Sequence, residues 1–290
     1  MRSIISSILI VSIFLTGSAN AQDPSANDIL VSGKVIEQET NRPLSYVSIG
    51  IPDKPFGTLS DSLGRFVLHV PQENLSDSLQ VSLVGYFSRR IAIKDIVAGK
   101  ELSIALRVQY VELAEVVVTD KKTNMETIGR QASGKFVQVS IHNKKSVSET
   151  IGSEMGMRYK ASKGNATLKD FNFNISANNF NSIKYRVNVY AVKDNMPDTL
   201  LYHSQIFTTV DHFRTGWISV DLEPYHINLP KDFIVSLQWV DSRMDHKEDP
   251  VTMIPVAVSL FSKNCYVRVA ALDKWQKKAM NLSNYVTVMY

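Results

Sequence analysis

Cysteine is almost missing from this chain: Cys265 is the only one in 290 residues, so no intramolecular disulfide can form. It stands in the apolar-rich run Cys265-Tyr266-Val267-Arg268-Val269, which reads as an inert half-buried thiol rather than a nucleophile. An excess of charge of one sign is missing as well. Lys plus Arg number 32 against 28 Asp plus Glu, a formal net charge of +4. The pairs Lys121-Lys122, Lys144-Lys145 and Lys277-Lys278 read as solvated surface. No basic stripe of the kind a nucleic-acid binder presents is visible, so no nucleic-acid partner is expected. Past the N-terminus no stretch is long and apolar enough to span a bilayer as a helix, so a soluble mature chain without a transmembrane segment is expected. Helical periodicity is scarce too, and Leu272 to Leu282 is the one candidate, with a loop or a single turn as the alternative.

What is present begins with an address. Met1 and Arg2 precede the apolar run from Ile4 to Leu15, and small residues lead to Ala19-Asn20-Ala21 before Gln22. This is the order of a secretory signal peptide with an A-x-A cleavage site. An uncleaved membrane anchor is the alternative, but the run is shorter than the roughly 20 residues a spanning helix needs. Residues 1–21 are therefore expected to be removed, placing the mature chain in the periplasm or at the cell surface. No cysteine sits at the cut, which argues against a lipid anchor there. Without disulfides the exported chain must rest on hydrophobic burial, and 44% hydrophobic residues makes a sizeable core possible.

Along the chain the hydrophobic period is two. Ile29, Val31, Gly33 and Val35 share one face, and Tyr46–Ile51, Phe66–Val70 and Leu79–Val84 are short β-branched or aromatic runs. Turns punctuate them at Asn41-Arg42-Pro43, Pro52-Asp53-Lys54-Pro55 and Asp61-Ser62-Leu63-Gly64. Short strands at this spacing predict an all-β sandwich, in which two sheets bury their apolar faces against each other. At Asp61 the carboxylate is expected to accept a backbone N–H while Gly64 takes a positive φ, giving a tight hairpin. A calcium loop would need more oxygen side chains close by.

These residues carry a resemblance. Ser32-Gly33-Lys34-Val35, Arg42-Pro43-Leu44, Val47-Ser48-Ile49, the hairpin from Thr58 to Phe66, and Val84-Gly85-Tyr86 resemble the carboxypeptidase regulatory-like domain over residues 32–107, extending to 118. The resemblance implies a transthyretin-like, seven-stranded β-sandwich. It also implies a Gram-negative envelope module, since the family's domains stand beside peptidases and in front of TonB-dependent outer-membrane receptors. A peptidase is not supported by the residues. The associated zinc site needs His-x-x-Glu and a further His, leaving one position for water. None of the 6 histidines (His69, His142, His203, His212, His226, His246) has Glu three positions on, and His246-Lys247-Glu248-Asp249 is only an imitation. Val111 to Thr119 is similar to the segment preceding the plug of TonB-dependent receptors, and such an extended segment can add a strand to a partner's sheet. A terminal strand leading into the linker is the simpler reading, and too few residues follow Thr119 for a receptor barrel.

The expected organisation is a signal peptide at 1–21, a regulatory-like sandwich at 29–119, a linker at 120–135 and a second domain at 136–290. In the second domain Phe171–Ile175, Tyr185–Tyr190, Trp217–Leu222 and Phe233–Val240 alternate, and turns fall at Asn195–Asp198 and Leu229–Asp232. A second sandwich, jelly-roll-like, is expected. Trp217, Trp239 and Trp275 could stack on sugars, but Trp217 and Trp239 alternate with large apolar residues and read as core, whereas Trp275 among lysines reads as exposed. Asp245, Glu248 and Asp249 read as a polar loop rather than a glycosidase pair. Ser153 does not sit in the Gly-x-Ser-x-Gly of a nucleophile elbow. No catalytic, cofactor-binding or metal-ligating residue is assigned, no cofactor is expected, and ligand-binding residues stay open. The leading functional expectation is a non-catalytic envelope protein acting as an adaptor or binding module for a protein or glycan partner. The alternatives are a structural accessory of a TonB-linked uptake system docking through residues 111–119, and a hydrolase with its site in the second domain.

Overall fold

The computed structural model describes residues 11–12, 28–96, 99–109, 124–133, 137–140, 150–245, 250, 252–258 and 264–290. The expected docking segment at 111–119 lies outside them, as do His142, His246, Glu248 and Asp249. The described structure is all-β, with three short 3-10 turns and no helix long and apolar enough to cross a membrane.

The first strand, β1 (Val11–Ser12), is a two-residue partner of a strand in the second domain. The first sandwich follows with β2 (Ile29–Glu37), β3 (Ser48–Gly50), β4 (Gly57–Leu59), β5 (Arg65–Val70), β6 (Ser78–Ser82), β7 (Arg89–Ala92) and β8 (Leu102–Leu106). A three-stranded sheet, β5-β2-β8, faces a four-stranded one, β4-β3-β6-β7. The alternation in β5 shows why: Phe66, Leu68 and Val70 point inward while Arg65, Val67 and His69 stay exposed. They meet Val31, Val35, Val47, Ile49, Leu79, Val81 and Ile104 in one core. The hairpin before β5 forms as the sequence predicts. Asp61 Oδ1 accepts the backbone N–H groups of Leu63 and Arg65, each at 2.8 Å, and Gly64 has φ of 77°. A Cβ at Gly64 would stand 2.5 Å from the Val35 carbonyl oxygen, so the position requires glycine twice over.

The second domain runs through β9 (Met125–Gly129), β10 (Val137–Val139), β11 (Glu154–Lys160), β12 (Ala166–Ile175), β13 (Ala177–Asn178), β14 (Ser182–Lys193), β15 (Met196–Leu200), β16 (Ile206–Asp211) and β17 (Gly216–Asp221). It continues with β18 (Asn228–Leu229), β19 (Asp232–Arg243), β20 (Thr252–Val258), β21 (Cys265–Arg268), β22 (Gln276–Lys278), β23 (Met280–Leu282) and β24 (Asn284–Met289). A large sheet, β15-β14-β19-β11-β21-β22 with β16 on β14, packs on a smaller one, β17-β12-β24-β9 with β18 on β12. A third set, β1-β10-β20-β13 with β23 on β20, completes the domain. Tyr185, Val187 and Trp239 from the large sheet meet Phe171, Phe173 and Val286 from the small one in a shared core. Trp239 is fully buried, edge-on to Phe180 at 5.1 Å and Tyr185 at 5.6 Å.

Three expectations change here. The stretch 120–135, expected as a linker, contains β9, which pairs antiparallel with β24 and forms an edge of the small sheet. Its pattern is hard to see in sequence because only Ile128 faces the core. The helix candidate Leu272 to Leu282 instead holds β22 and β23. Short strands that pair at the end of a chain have too few residues to set a period. At Asn195–Asp198 the turn falls at Asp194 and Asn195, both at positive φ (50° and 60°), and Pro197 already lies in β15, an edge strand where its missing N–H costs nothing.

Candidate binding face and the domain interface

The large sheet has two buried faces of opposite character. Residues one step out of phase with the core place Glu154, Arg268, Arg186, Asn188, Tyr190, Ser236 and Gln238 on its back. Most of these polar side chains are buried: Glu154 is 1% exposed, Gln238 1% and Arg186 7%. Glu154 is the centre. Its Oε1 accepts from Asn188 Nδ2 at 2.8 Å, from Tyr190 OH at 3.0 Å and from Ser236 Oγ. Its Oε2 accepts from Arg268 Nε at 2.9 Å and from Nη2 as well, a bidentate pair. Burial pushes this carboxyl up, but Arg268, Ser236 and Asn188 outweigh it and hold it below its ordinary value. Trp275 closes the cluster, its ring 4.7 Å from the Arg268 guanidinium and edge-on to Tyr190 at 5.7 Å. Trp275 is thus half-buried rather than exposed: its indole covers an arginine that the sequence gives no reason to place there.

Arg186 has no carboxylate partner. Its Nη1 donates to Gln238 Oε1 at 3.1 Å, and Nη2 donates to Gln205 Oε1 at 2.9 Å and to the main-chain carbonyl of Tyr46. Its Nε has no partner. Burial pulls its pKa down to about 10, so it stays protonated at neutral pH. Tyr46 belongs to the first sandwich, so a buried guanidinium of one domain is capped by the backbone of the other. Around this bond Tyr46 (φ 56°) packs edge-on to Phe207 at 5.3 Å, and its hydroxyl lies 3.3 Å from Lys184 Nζ and 3.4 Å from Asp241 Oδ2. Tyr46, Leu59, Val240 and Ala271 form a small core of their own. Asp53 N–H donates to the Leu272 carbonyl at 3.0 Å. The backbones approach closely at Gly57, where a Cβ would stand 2.1 Å from the Ala271 carbonyl oxygen. A cavity between Val84 and Asn188, Leu200 and Tyr202 has room for no more than about one water.

The small sheet turns a polar face away from the core. Since Phe171, Phe173, Ile218, Val220, Val286 and Val288 point into the core, their neighbours Asp170, Asn172, Asn174, Trp217, Ser219, Asp221, Tyr285 and Thr287 point out. Trp217 therefore lies outside the core, contrary to expectation: its alternation with apolar residues sets one face apart but does not say which face is buried. Trp217 pairs in register with Asn174, and Tyr285 with Asn172, on the two strands flanking β12. Those strands stand roughly 10 Å apart, yet the two ring centroids are 5.1 Å apart at 63°. Both rings must lean inward over β12. Asn172 and Asn174, on the same side of β12, are 6% and 4% exposed. Asn172 Nδ2 donates to Asp170 Oδ1 at 2.5 Å.

The other singled-out residues do not assemble. Cys265 is fully buried, and burial pushes its thiol up to about 12. Ser153 is 5% exposed. Asp245 pairs with Arg243 at 3.6 Å on an exposed loop. Among the described residues no three His, Cys, Asp or Glu side chains are grouped to hold a metal. The sequence reading missed Asn172, Asn174 and Tyr285. The signal was present in Phe171-Asn172-Phe173-Asn174-Ile175, where amides occupy each outward position.

No match is found among curated proteins. Solved structures give weak likenesses. One is the cysteine protease and lectin-like domains of Cwp84, a surface layer associated protein of Clostridium difficile, at 14% identity and a TM-score of 0.35. That match covers 47% of this chain and 32% of the other, so this chain spans about a third of that structure. Another is infectious bursal disease virus Gx strain, at 10% identity and a TM-score of 0.25, covering 91% of this chain and 68% of the other. Scores this low establish no shared fold. The family comparison is specific to the first sandwich: residues 31–118 match the model described as CarboxypepD_reg-like domain, and the chain carries a carboxypeptidase regulatory-like domain over that stretch.

Proposed function

We propose that this protein is a non-catalytic, exported envelope protein that works as a binding module or adaptor for a protein or glycan partner. One observation carries the reading. The regulatory-like domain caps the Arg186 end of the polar back of the large sheet, while the opposite side of the same sandwich presents the paired rings of Trp217 and Tyr285. A regulatory-like domain is non-catalytic in itself, and here its place is that of a fixed support. Export rests on the signal-like residues 1–21. Their removal takes away β1, whose two-residue pairing with β10 is the one described contact of that segment with the fold.

The test uses the mature chain, residues 22–290, immobilised and exposed to solubilised Gram-negative envelope. Retention of a component by the wild type and its loss in Trp217→Ala supports the reading. Retention that is identical in both, or no retention, contradicts it. N-terminal sequencing of the secreted product beginning at Gln22 tests the export part, and an intact Met1 contradicts it.

A further inference from the structure

We infer that residues 269–275 are a strap through which the docked first sandwich holds the Trp275 indole over the Arg268 guanidinium, so that undocking uncovers the buried Glu154–Arg268 pair. The inference goes beyond the binding-module reading and does not depend on the face of the small sheet. The strap joins β21 to β22 and is clamped from both sides. Ala271, fully buried, lies against Gly57 and Gly50 of the first sandwich and against Gly152 of the second domain. A Cβ at Gly50 would stand 2.8 Å from the Ala271 carbonyl oxygen, and one at Gly152 would stand 2.9 Å from the Ala271 nitrogen. Gly152 is itself fixed, since its N–H donates to the Trp239 carbonyl at 2.8 Å. The first sandwich thus holds the strap against a fixed part of the second domain.

The backbone beside this clamp is in a conformation it does not hold by itself. Leu272 has φ of 66°, a left-handed conformation that is costly for a residue other than glycine. Its carbonyl accepts the Asp53 N–H of the first sandwich at 3.0 Å. Such a conformation persists where its surroundings over-determine it, and the first sandwich supplies those surroundings. Beyond Leu272 the chain has little room to absorb a change. Asp273, 4% exposed, closes the turn by accepting the backbone N–H groups of Val269 at 3.4 Å and Lys274 at 2.8 Å. Trp275 follows directly, its ring 4.7 Å from the Arg268 guanidinium. Relaxation of Leu272 to a negative φ therefore rotates a closed turn, and the indole moves with it. By linkage, whatever loosens the docking side of the first sandwich loosens this cover.

Acrylamide quenching of tryptophan fluorescence in the mature chain carrying Trp217→Phe tests this. Trp239 is fully buried, so Trp275 then reports alone on access. Gly57→Ala, which sets a methyl against the Ala271 carbonyl, should raise the quenching of Trp275 by about twofold or more. Adding Leu272→Asn, which tolerates the left-handed conformation, should return part of that rise. Gly164→Ala should leave quenching unchanged, and thermal unfolding of each variant checks the fold. If Gly57→Ala does not fold, Gly50→Ala crowds the same carbonyl and takes its place, with the same rise expected. Unchanged quenching in the folded crowding variant, or an equal rise in Gly164→Ala, overturns the inference. A rise that Leu272→Asn leaves whole overturns it as well, since the left-handed residue is then not the element that moves.

Discussion

The Arg186 guanidinium in the second domain donates to the main-chain carbonyl of Tyr46 in the first, and this bond is buried. A carbonyl on a left-handed residue supplies part of what a carboxylate would supply elsewhere, so the charge of Arg186 is better stabilised while the domains are docked. Gln205 and Gln238 hold the rest of the fork. Docking is therefore part of the folded state of the second domain rather than an addition to it.

Arg186→Ala should destabilise the chain by about 2–4 kcal/mol, because it strips three acceptors of their donor, those of Tyr46 and Gln238 buried. Arg186→Met should cost less, since the stem volume is kept. Urea unfolding followed by tryptophan fluorescence reads both, and an unchanged midpoint in Arg186→Ala contradicts the role.

Gly57→Ala should part the domains. The added methyl would meet the Ala271 carbonyl, which is backbone and cannot swing away. The expected loss is about 1–3 kcal/mol, accompanied by a larger radius of gyration in X-ray scattering. Gly164→Ala, where a Cβ meets nothing closer than 4.0 Å, is the matched control and should be near neutral. Equal behaviour of the two variants would contradict the close approach.

Glu154 gives the acid limb of stability its sign. Its folded value lies below its ordinary 4.5, so its contribution is complete above pH 4.5 and is lost as pH falls through the folded value. Asp273 has the opposite sign. Burial raises its carboxyl, so its contribution is complete below its ordinary 3.8 and is lost as pH rises through the folded value. Glu154→Gln leaves Arg268 buried without its partner and should cost about 3–5 kcal/mol at neutral pH. The gap to wild type should narrow below pH 4.5. A gap that is constant down to acid pH would contradict the ionised Glu154.

Cys265 should be silent toward thiol reagents in the native chain. Full burial and a thiol pushed up to about 12 leave no accessible thiolate. Labelling should follow unfolding in urea, and rapid labelling of native protein would contradict the packing.

Much of the fold was legible because period-two alternation and turn chemistry are local. Asp61 and Gly64 announce their hairpin, and Phe66, Leu68 and Val70 announce their face. Trp217 and Trp275 were not legible, because alternation divides a strand into two faces without saying which one another layer will cover. The Glu154–Arg268 pair lies 114 residues apart in sequence, and only the sheet register of β11 and β21 brings it together. The candidate site was hidden for the same reason. Asn172, Asn174, Trp217 and Tyr285 come from three strands whose pairing depends on long-range topology.

The account turns on the Trp217 face being where a ligand sits, and oxidative footprinting read by mass spectrometry tests that most directly. In the free mature chain Trp217 should be oxidised while Trp239, fully buried, is spared. Saturation with the retained envelope component should protect Trp217 and Tyr285 and leave the exposed Phe87 of the first domain unchanged. Oxidation of Trp217 at the same rate with and without the bound component would contradict it.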